Sequence, residues 1–383
     1  MADNKDKKVL NVPVLRFPEF NEEWKEKRLD EIAGLSKGVG ISKEQLSEDG
    51  EPCILYGELY TKYKSEIIRK VISKTNIESS NLKRSKLNDV IIPCSGETAI
   101  DIAVARCIPF DNILLGGDLN IIHLHKDDGA FMAYQLNGKR KIDIAKLAQG
   151  VSVVHLYGEN LKSIKTYNPC LQEQQKIVKL LSMLDERIEV QNKIIEKLET
   201  LIKGIRDYVL NNKLQNITKK KLGELCTITT GKLDANAMKS EGLYPFFTCA
   251  EEVYRIDSFA FDTEALLVSG NGANLGYIHY YKGKFNAYQR TYVLSNFIED
   301  IHYIQIYLEA YLHKRIALEK STSNTPYIVL ATLAEMPIII PNIKIQKDIS
   351  NKILILKSKL ITEIHIRNCY KDMRQFLLSQ MFI

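Results

Sequence analysis

Leu161-Lys162-Ser163-Ile164-Lys165-Thr166-Tyr167-Asn168-Pro169-Cys170-Leu171-Gln172-Glu173-Gln174-Gln175-Lys176-Ile177 decides the architecture. It can be laid without a gap on Leu333-Ala334-Glu335-Met336-Pro337-Ile338-Ile339-Ile340-Pro341-Asn342-Ile343-Lys344-Ile345-Gln346-Lys347-Asp348-Ile349. A constant offset of 172 carries 161 to 333 and 177 to 349. Upstream, Lys27-Arg28-Leu29-Asp30-Glu31-Ile32 is similar to Lys220-Lys221-Leu222-Gly223-Glu224-Leu225, and a glycine follows each at the same distance, Gly38 and Gly231. The chain therefore reads as two copies of one unit, a repeat that has to be recognised before any motif is weighed.

Downstream of Pro169, apolar residues fall at Ile177, Leu181, Leu184, Ile188, Ile195, Leu198, Ile202, Ile205 and Val209, in alternating steps of four and three with one gap at the polar Gln191. Sustained over more than four heptads and flanked by charges, this is a coiled-coil seam, and so narrow a stripe expects a partner helix. The second copy offers one, opening with Ile349, Ile353, Leu356 and Leu360 and carrying Leu377 near its end. Its middle is rougher: Glu363, Arg367 and Arg374 stand in the seam, while Ile366, Tyr370, Met373 and Leu377 form a line displaced around the helix. Packing of each helix on its own front half is the competing reading. At 1.5 Å per residue the first helix spans roughly 50 Å between Ile177 and Val209, which makes it a spacer as well as a core.

Each front half is strand-rich. Short β-branched runs such as Asp89-Val90-Ile91-Ile92, Asn120-Ile121-Ile122-His123-Leu124, Ala265-Leu266-Leu267-Val268 and Thr291-Tyr292-Val293-Leu294 alternate with turn residues, as in a small mixed sheet. Ser95-Gly96-Glu97 and Ser269-Gly270-Asn271 read as matching exits from a strand into a loop. The expected fold class is α+β: two domains with mixed sheets, joined by two long antiparallel helices that form a coiled coil in a pseudo-two-fold repeat. The expected boundaries are 1–168, 169–213, 214–340 and 341–383.

The 383 residues carry 53 Lys and Arg against 47 Asp and Glu, a formal charge of +6 that implies no partner until its distribution is known. Seven scattered cysteines without a C-x-x-C pair remove zinc-ribbon and thioredoxin readings and fit a reducing compartment. No apolar run has signal-peptide or membrane-spanning length, so a cytoplasmic location is expected.

Catalytic patterns are missing: there is no phosphate loop, no H-E-x-x-H and no G-x-S-x-G. Gly270-Asn271-Gly272-Ala273-Asn274-Leu275-Gly276 places its third glycine one residue late for a dinucleotide turn and reads as a tight polar loop. His123 and His125 share a strand face without a third ligand, and Cys94 has no marked base, so both read as structural. No metal site is expected.

Nucleic-acid contact is the better supported chemistry, because basic residues, aromatics and amides cluster in both fronts. Candidates are Lys62, Tyr63, Lys64, Arg69, Lys83, Arg84 and Lys86 in the first, and Asn271, Asn274, Lys282, Lys284, Gln289 and Arg290 in the second. Lysine and arginine neutralise phosphates, while arginine, asparagine and glutamine can also read base edges.

Two further stretches carry a family resemblance. Val12-Pro13-Val14-Leu15-Arg16-Phe17-Pro18-Glu19-Phe20, Trp24 and Arg28-Leu29-Asp30-Glu31-Ile32 resemble the opening of specificity subunits of type I restriction-modification systems, and Pro169 to Ile177 resembles their central conserved region. The second helix start departs from this pattern, with Ile345 in the place of Glu173 and Asp348 in that of Lys176. The resemblance implies a non-catalytic subunit whose two target recognition domains each read one half of a bipartite, asymmetric target in double-stranded DNA. It also implies paired helices that set the gap, two modification subunits carrying S-adenosylmethionine, and restriction subunits that join for cleavage. A stand-alone DNA-modifying or DNA-cleaving enzyme and a coiled-coil protein scaffold are the alternatives.

Overall fold

A computed structural model describes residues 10–78, 80–210, 217–318 and 327–383, and the side chains of Val209 and Leu210 lie outside that description. The chain divides into two compact units, Met1–Asn192 with His365–Ile383, and Lys193–Ile364. The division passes through both long helices, because residues 365–383 pack on the first front domain.

In the first unit a four-stranded antiparallel sheet runs in the order Ala33–Lys37, Leu119–Leu124, Asp89–Pro93, Arg106–Ile108. Asp89–Pro93 is buried throughout, which explains why it reads as an unbroken apolar run rather than as an alternation. A five-stranded sheet includes Glu51–Ile54 parallel to Leu114–Leu115, giving the expected mixed character. Helix Gly129–Asn137 starts at Asp128, whose carboxylate accepts from the Phe131 amide at 2.9 Å and satisfies one of its free N–H groups.

The second unit carries a six-stranded sheet in the order Thr227–Thr230, Thr291–Ser295, Phe261–Ser269, Ile278–Ala287, Tyr244–Phe247, Tyr254–Ile256. Its first four strands repeat the antiparallel order of the first unit, and Tyr244–Phe247 then runs parallel to Ile278–Ala287. Helix Ile301–Leu318 takes the place of Gly129–Asn137, with Asp300 accepting from the Tyr303 amide at 2.8 Å.

Each unit is closed by a two-stranded ribbon, Lys25–Arg28 with Lys165–Asn168 and Thr218–Lys221 with Pro337–Ile340. The ribbons lead into the long helices Leu171–Leu210 and Ile343–Gln380, whose first turns are anchored identically. Gln174 donates to Asp127 Oδ1 (2.6 Å) and the Pro169 carbonyl (3.0 Å) and accepts from the Asp128 amide at 2.8 Å. Gln346 donates to Glu299 Oε2 and the Pro341 carbonyl, both at 2.8 Å, and accepts from the Asp300 amide at 3.0 Å. Both glutamines are fully buried, so each clasp satisfies polar groups that would otherwise be left bare.

The copies differ one residue earlier. Glu173 is buried and receives Arg16 Nε and Nη2, each at 2.7 Å, with the Trp24 indole N–H at 3.3 Å. The Glu173 contact raises the Arg16 pKa. In the second copy Ile217, not tryptophan, precedes the ribbon strand, and Ile345 stands in the place of Glu173. The departure noted in the sequence is thus a matched loss of both partners at the helix start.

The helical seam is buried at Ile177, Leu181, Leu184, Ile195, Leu198, Ile202, Ile349 and Ile353, and half-buried at Ile188, Ile205, Leu356, Leu360 and Leu377; the Val209 side chain lies outside the described residues. Within the first unit Ile177 and Leu181 pack with Leu377, Met381 and Phe382, and also with Trp24, Phe131 and Tyr134. Within the second, Ile202 packs with Ile349 and Ile353, and also with Tyr303 and Leu333. The beginning of one helix meets the end of the other, so they run antiparallel. The pairing reading holds, and packing on a helix's own front half holds only for the start of each helix, since the end of each is absorbed into the core of the other copy's front domain.

The displaced line in the second helix needs a correction. Met373 is exposed, and the inward position belongs to Arg374, which pairs with Asp185 at 2.5 Å and with Glu66. Asp185 also accepts from the Tyr134 hydroxyl at 2.5 Å. Burial pushes the Asp185 carboxyl upward despite Arg374; it also works against the Arg374 charge, but Glu66 and Asp185 more than offset it and raise that pKa. An arginine in the seam is therefore a paired ion, which a pattern of apolar letters cannot reveal.

Candidate nucleic-acid interface

The sequence-predicted contact residues separate into two groups. In the first unit most are tied into the frame. Tyr63 is a correction: it is buried among Ile54, Leu59 and Ile68, its hydroxyl accepts from the Ile72 amide at 3.2 Å, and burial pushes it up to about 12. Lys62 is held by Glu58 at 2.6 Å and Ser73 at 2.9 Å, and Lys64 donates to the Tyr60 carbonyl at 2.9 Å. Arg69 pairs with Glu186 on the first long helix and donates to the Ser182 carbonyl at 3.1 Å. Arg84 pairs with Glu51 at 2.7 Å and donates to the Asn112 carbonyl at 3.2 Å. Lys83 is half-buried on the short strand Lys83–Arg84, and Lys86 is exposed at the turn before Asp89. In the second unit Lys282 and Lys284 face Glu264 and Asp262 across the strand pair; Lys282 lies 3.7 Å from Glu264, and the Lys284 ammonium sits 4.7 Å from the Phe259 ring centroid.

The remaining four converge. The strand Phe261–Ser269 ends where Ser269 pairs with Thr291, and the loop that follows is closed by the Gly276 amide donating to the Ser269 carbonyl at 2.8 Å. Gly272 and Gly276 take φ of +81° and +84°, values an L side chain rarely adopts, which accounts for the glycines in this polar loop. The Gly270 amide donates to the Arg290 carbonyl at 2.9 Å, and the Gln289 amide to the Leu233 carbonyl at 2.9 Å. Asn271 and Asn274 thus stand at the same sheet end as Gln289 and Arg290, the last two exposed. Asn271 bridges Tyr327, itself half exposed, and the Tyr292 hydroxyl holds the adjoining Ile328 carbonyl at 2.8 Å.

The first unit has the same sheet end. Cys94 N donates to the Asp118 carbonyl at 2.7 Å, as Gly270 N does to Arg290; Leu156 N donates to the Cys94 carbonyl at 2.7 Å, as Ile328 N does to Gly270 at 2.9 Å. Gly38 N donates to Leu119 at 2.9 Å, as Gly231 N does to Thr291 at 3.3 Å. A Cβ on Gly38 or Gly231 would collide with the carbonyl oxygen of Gly116 or Ala287, so the frame needs glycine twice. These bonds correct the sequence match of the two Ser-Gly pairs: Cys94 occupies the place of Gly270, and Ser95 that of Asn271, because pairing with Leu119 and Thr291 sets the register.

Asp118, His155 and Tyr327 escaped the sequence reading. The repeat offset of 172 carries 155 to 327 and was the available signal. Asp118 lies 3.3 Å from Lys37 and accepts from Ser95 Oγ at 3.3 Å; His155 stacks on Tyr157 with ring centroids 6.2 Å apart.

The residues read as structural behave so. His123 sits between Asp89 (2.5 Å) and Ser36 (3.3 Å), and Cys94 is buried, with its thiol pushed up to about 11. Among the described residues no group of His, Cys, Asp or Glu is placed to hold a metal ion, and no helix is long and apolar enough to cross a membrane.

The type I restriction modification DNA specificity domain matches this chain twice, over residues 21–200 and 215–367. The specificity subunit of the type I restriction enzyme EcoDI from Escherichia coli is 43% identical over 132 residues, 34% of this chain and 29% of that protein. The chain therefore spans less than a third of that curated relative. A type I restriction-modification system S subunit from M. genitalium shares the fold with a TM-score of 0.72 at 19% identity, over 97% of this chain and 99% of that one. A chain from a structure describing complex assembly and conformational transition of the type I R-M system aligns with a TM-score of 0.50 at 16% identity, over 95% and 98%. With a domain match on each copy of the repeat, and most of the sequence covered between them, the chain belongs to the type I restriction-modification DNA specificity family.

Proposed function

We propose that this chain reads DNA for a type I restriction-modification complex and performs no chemistry itself. Each unit recognises one half of a bipartite, asymmetric duplex target, and the paired helices set the unread gap. The observation that carries this reading is the doubled specificity domain, each copy ending in a long helix whose buried seam faces the other helix.

Two modification subunits, which bind S-adenosylmethionine and transfer the methyl group, dock near the helices, and restriction subunits join them for cleavage. The helices leave apolar side chains on their outer faces, Met183 and Phe376 in the first unit and Leu201 and Ile355 in the second, and a helical partner suits such faces. The complex works in the cytoplasm. The decisive test is to map methylated positions in DNA modified by this chain together with its modification subunit. Two half-sites separated by a fixed gap are expected. Methylation or cleavage by the chain alone overturns the reading in favour of an enzyme, and absence of salt-dependent duplex binding overturns it in favour of a scaffold.

A further inference from the structure

A reader used twice for two different sequences needs a backbone that stays the same and exposed side chains that do not. Three positions at the sheet end share their backbone, and the side chain is exposed or half-exposed at five of their six residues, the exception being the buried Ser95, whose hydroxyl donates to Asp118. The hydrogen bonds and strand pairs described above superpose Ser95 on Asn271, Asp118 on Arg290 and His155 on Tyr327. All three differ between the copies, whereas the clasp residue stays glutamine in both, as Gln174 and Gln346. The change at the central position is a reversal of chemistry, from a carboxylate that only accepts hydrogen bonds to a guanidinium that only donates them.

We propose that these side chains set the two half-site specificities. Asp118, held by the buried Ser95 hydroxyl, reads a base edge in the first half-site, Asn271 and Arg290 read in the second, while His155 and Tyr327 position the duplex through its sugar-phosphate backbone. This rests on the reading of the chain as a DNA-reading subunit and adds which atoms read. Arg290 has the donor fork that matches O6 and N7 of guanine, and Asn271 the donor-acceptor pair that matches N6 and N7 of adenine. Asp118 would be repelled by phosphates but accepts from the exocyclic amino group of cytosine, and Lys37 beside it offsets its charge toward the strands. The candidate lysines contribute at most a sequence-blind grip, since an ammonium is a point charge and Lys62 and Lys282 already have carboxylate partners.

The test uses the full chain assembled with its modification subunit and a library of duplexes randomised across both half-sites. Bound duplexes are sequenced for the natural chain, Arg290→Gln, Arg290→Lys and Asp118→Asn. Both Arg290 variants are expected to change the preference at one or two adjacent base pairs of one half-site by roughly 5- to 150-fold, leaving the other half intact. Asp118→Asn is expected to do the same in the opposite half. Arg290→Lys keeps the charge, so retention of the natural preference in that variant, with or without weaker binding, assigns Arg290 to phosphate and overturns the proposal. Two clear half-sites for the natural chain with unchanged maps in all variants also overturn it, and leave the DNA-reading function standing. A natural chain that selects no sequence overturns both.

Discussion

Glu173 shows how one residue can separate two otherwise equal copies. Its carboxylate is buried and held by Arg16 and Trp24, so Arg16→Ala leaves an uncompensated buried charge, expected to cost about 3–5 kcal/mol in urea unfolding of the full chain. Replacing the pair by apolar residues, Arg16→Met with Glu173→Ile in the manner of Ile345, is expected to recover most of that loss, because an apolar pair replaces the ion pair without stranding a charge. Unfolding midpoints that fall equally for the single and double variants would contradict this. Gln174→Ala and Gln346→Ala each remove a buried glutamine and leave the partly buried amide of Asp128 or Asp300 without its acceptor, and each is expected to lower stability by about 1–3 kcal/mol. The residue scale is also where reading from letters failed most. Lys62-Tyr63-Lys64 looks like a nucleic-acid patch because its neighbours in sequence are basic, yet what decides Tyr63 is packing against Ile54, Leu59 and Ile68. Arg69 and Arg84 are claimed by Glu186 and Glu51, carboxylates that no local pattern associates with them.

At the scale of elements the sequence was far more legible, because helices announce themselves by period. The seam from Ile177 to Ile205 lies on the inward face as its spacing requires. Among the polar interruptions of the second seam, Arg374 is the one held in a largely buried ion pair, and its partner Asp185 lies on the other helix where no pattern of apolar letters points to it. Strand registers were less legible. The shared letters of Ser95-Gly96 and Ser269-Gly270 suggested one alignment and the hydrogen bonds impose another, two residues along. The helices also carry a test of the ruler. Four residues inserted after Ile195 lengthen that helix by about 6 Å, close to two base-pair steps, while turning the seam by only about 40°. The expected outcome is an altered gap between half-sites or a loss of assembly, read by methylation mapping and size-exclusion chromatography. Unchanged spacing with full assembly would count against the spacer role.

For the whole molecule the prediction concerns independence. Each unit has its own sheet, its own clasp and its own core, so exchange of residues 220–340 for those of a related subunit is expected to change one half of the target and leave the other. Sequencing of methylated sites after the exchange checks this, and a change in both halves would sink the one-unit, one-half-site assignment. Binding of the assembled complex is expected to weaken steeply with salt, as phosphate contacts release counterions, while the identity of the two half-sites stays fixed.

The order of synthesis gives the first unit's construction a further meaning. Met381 and Phe382 complete the cluster around Trp24 and Phe131, and Arg140 donates to the Ile383 carbonyl at 2.7 Å. The second unit, Lys193–Ile364, is continuous in sequence, whereas the first waits for residues that the ribosome makes only after the second is complete. Domains generally fold in the order they emerge. Here the order is interleaved: the second unit can be complete while the first still lacks Arg374, Met381 and Phe382, so a nascent chain interrupted before residue 365 carries a first unit with its Asp185 and Glu66 carboxylates lacking their arginine and its Trp24 cluster open.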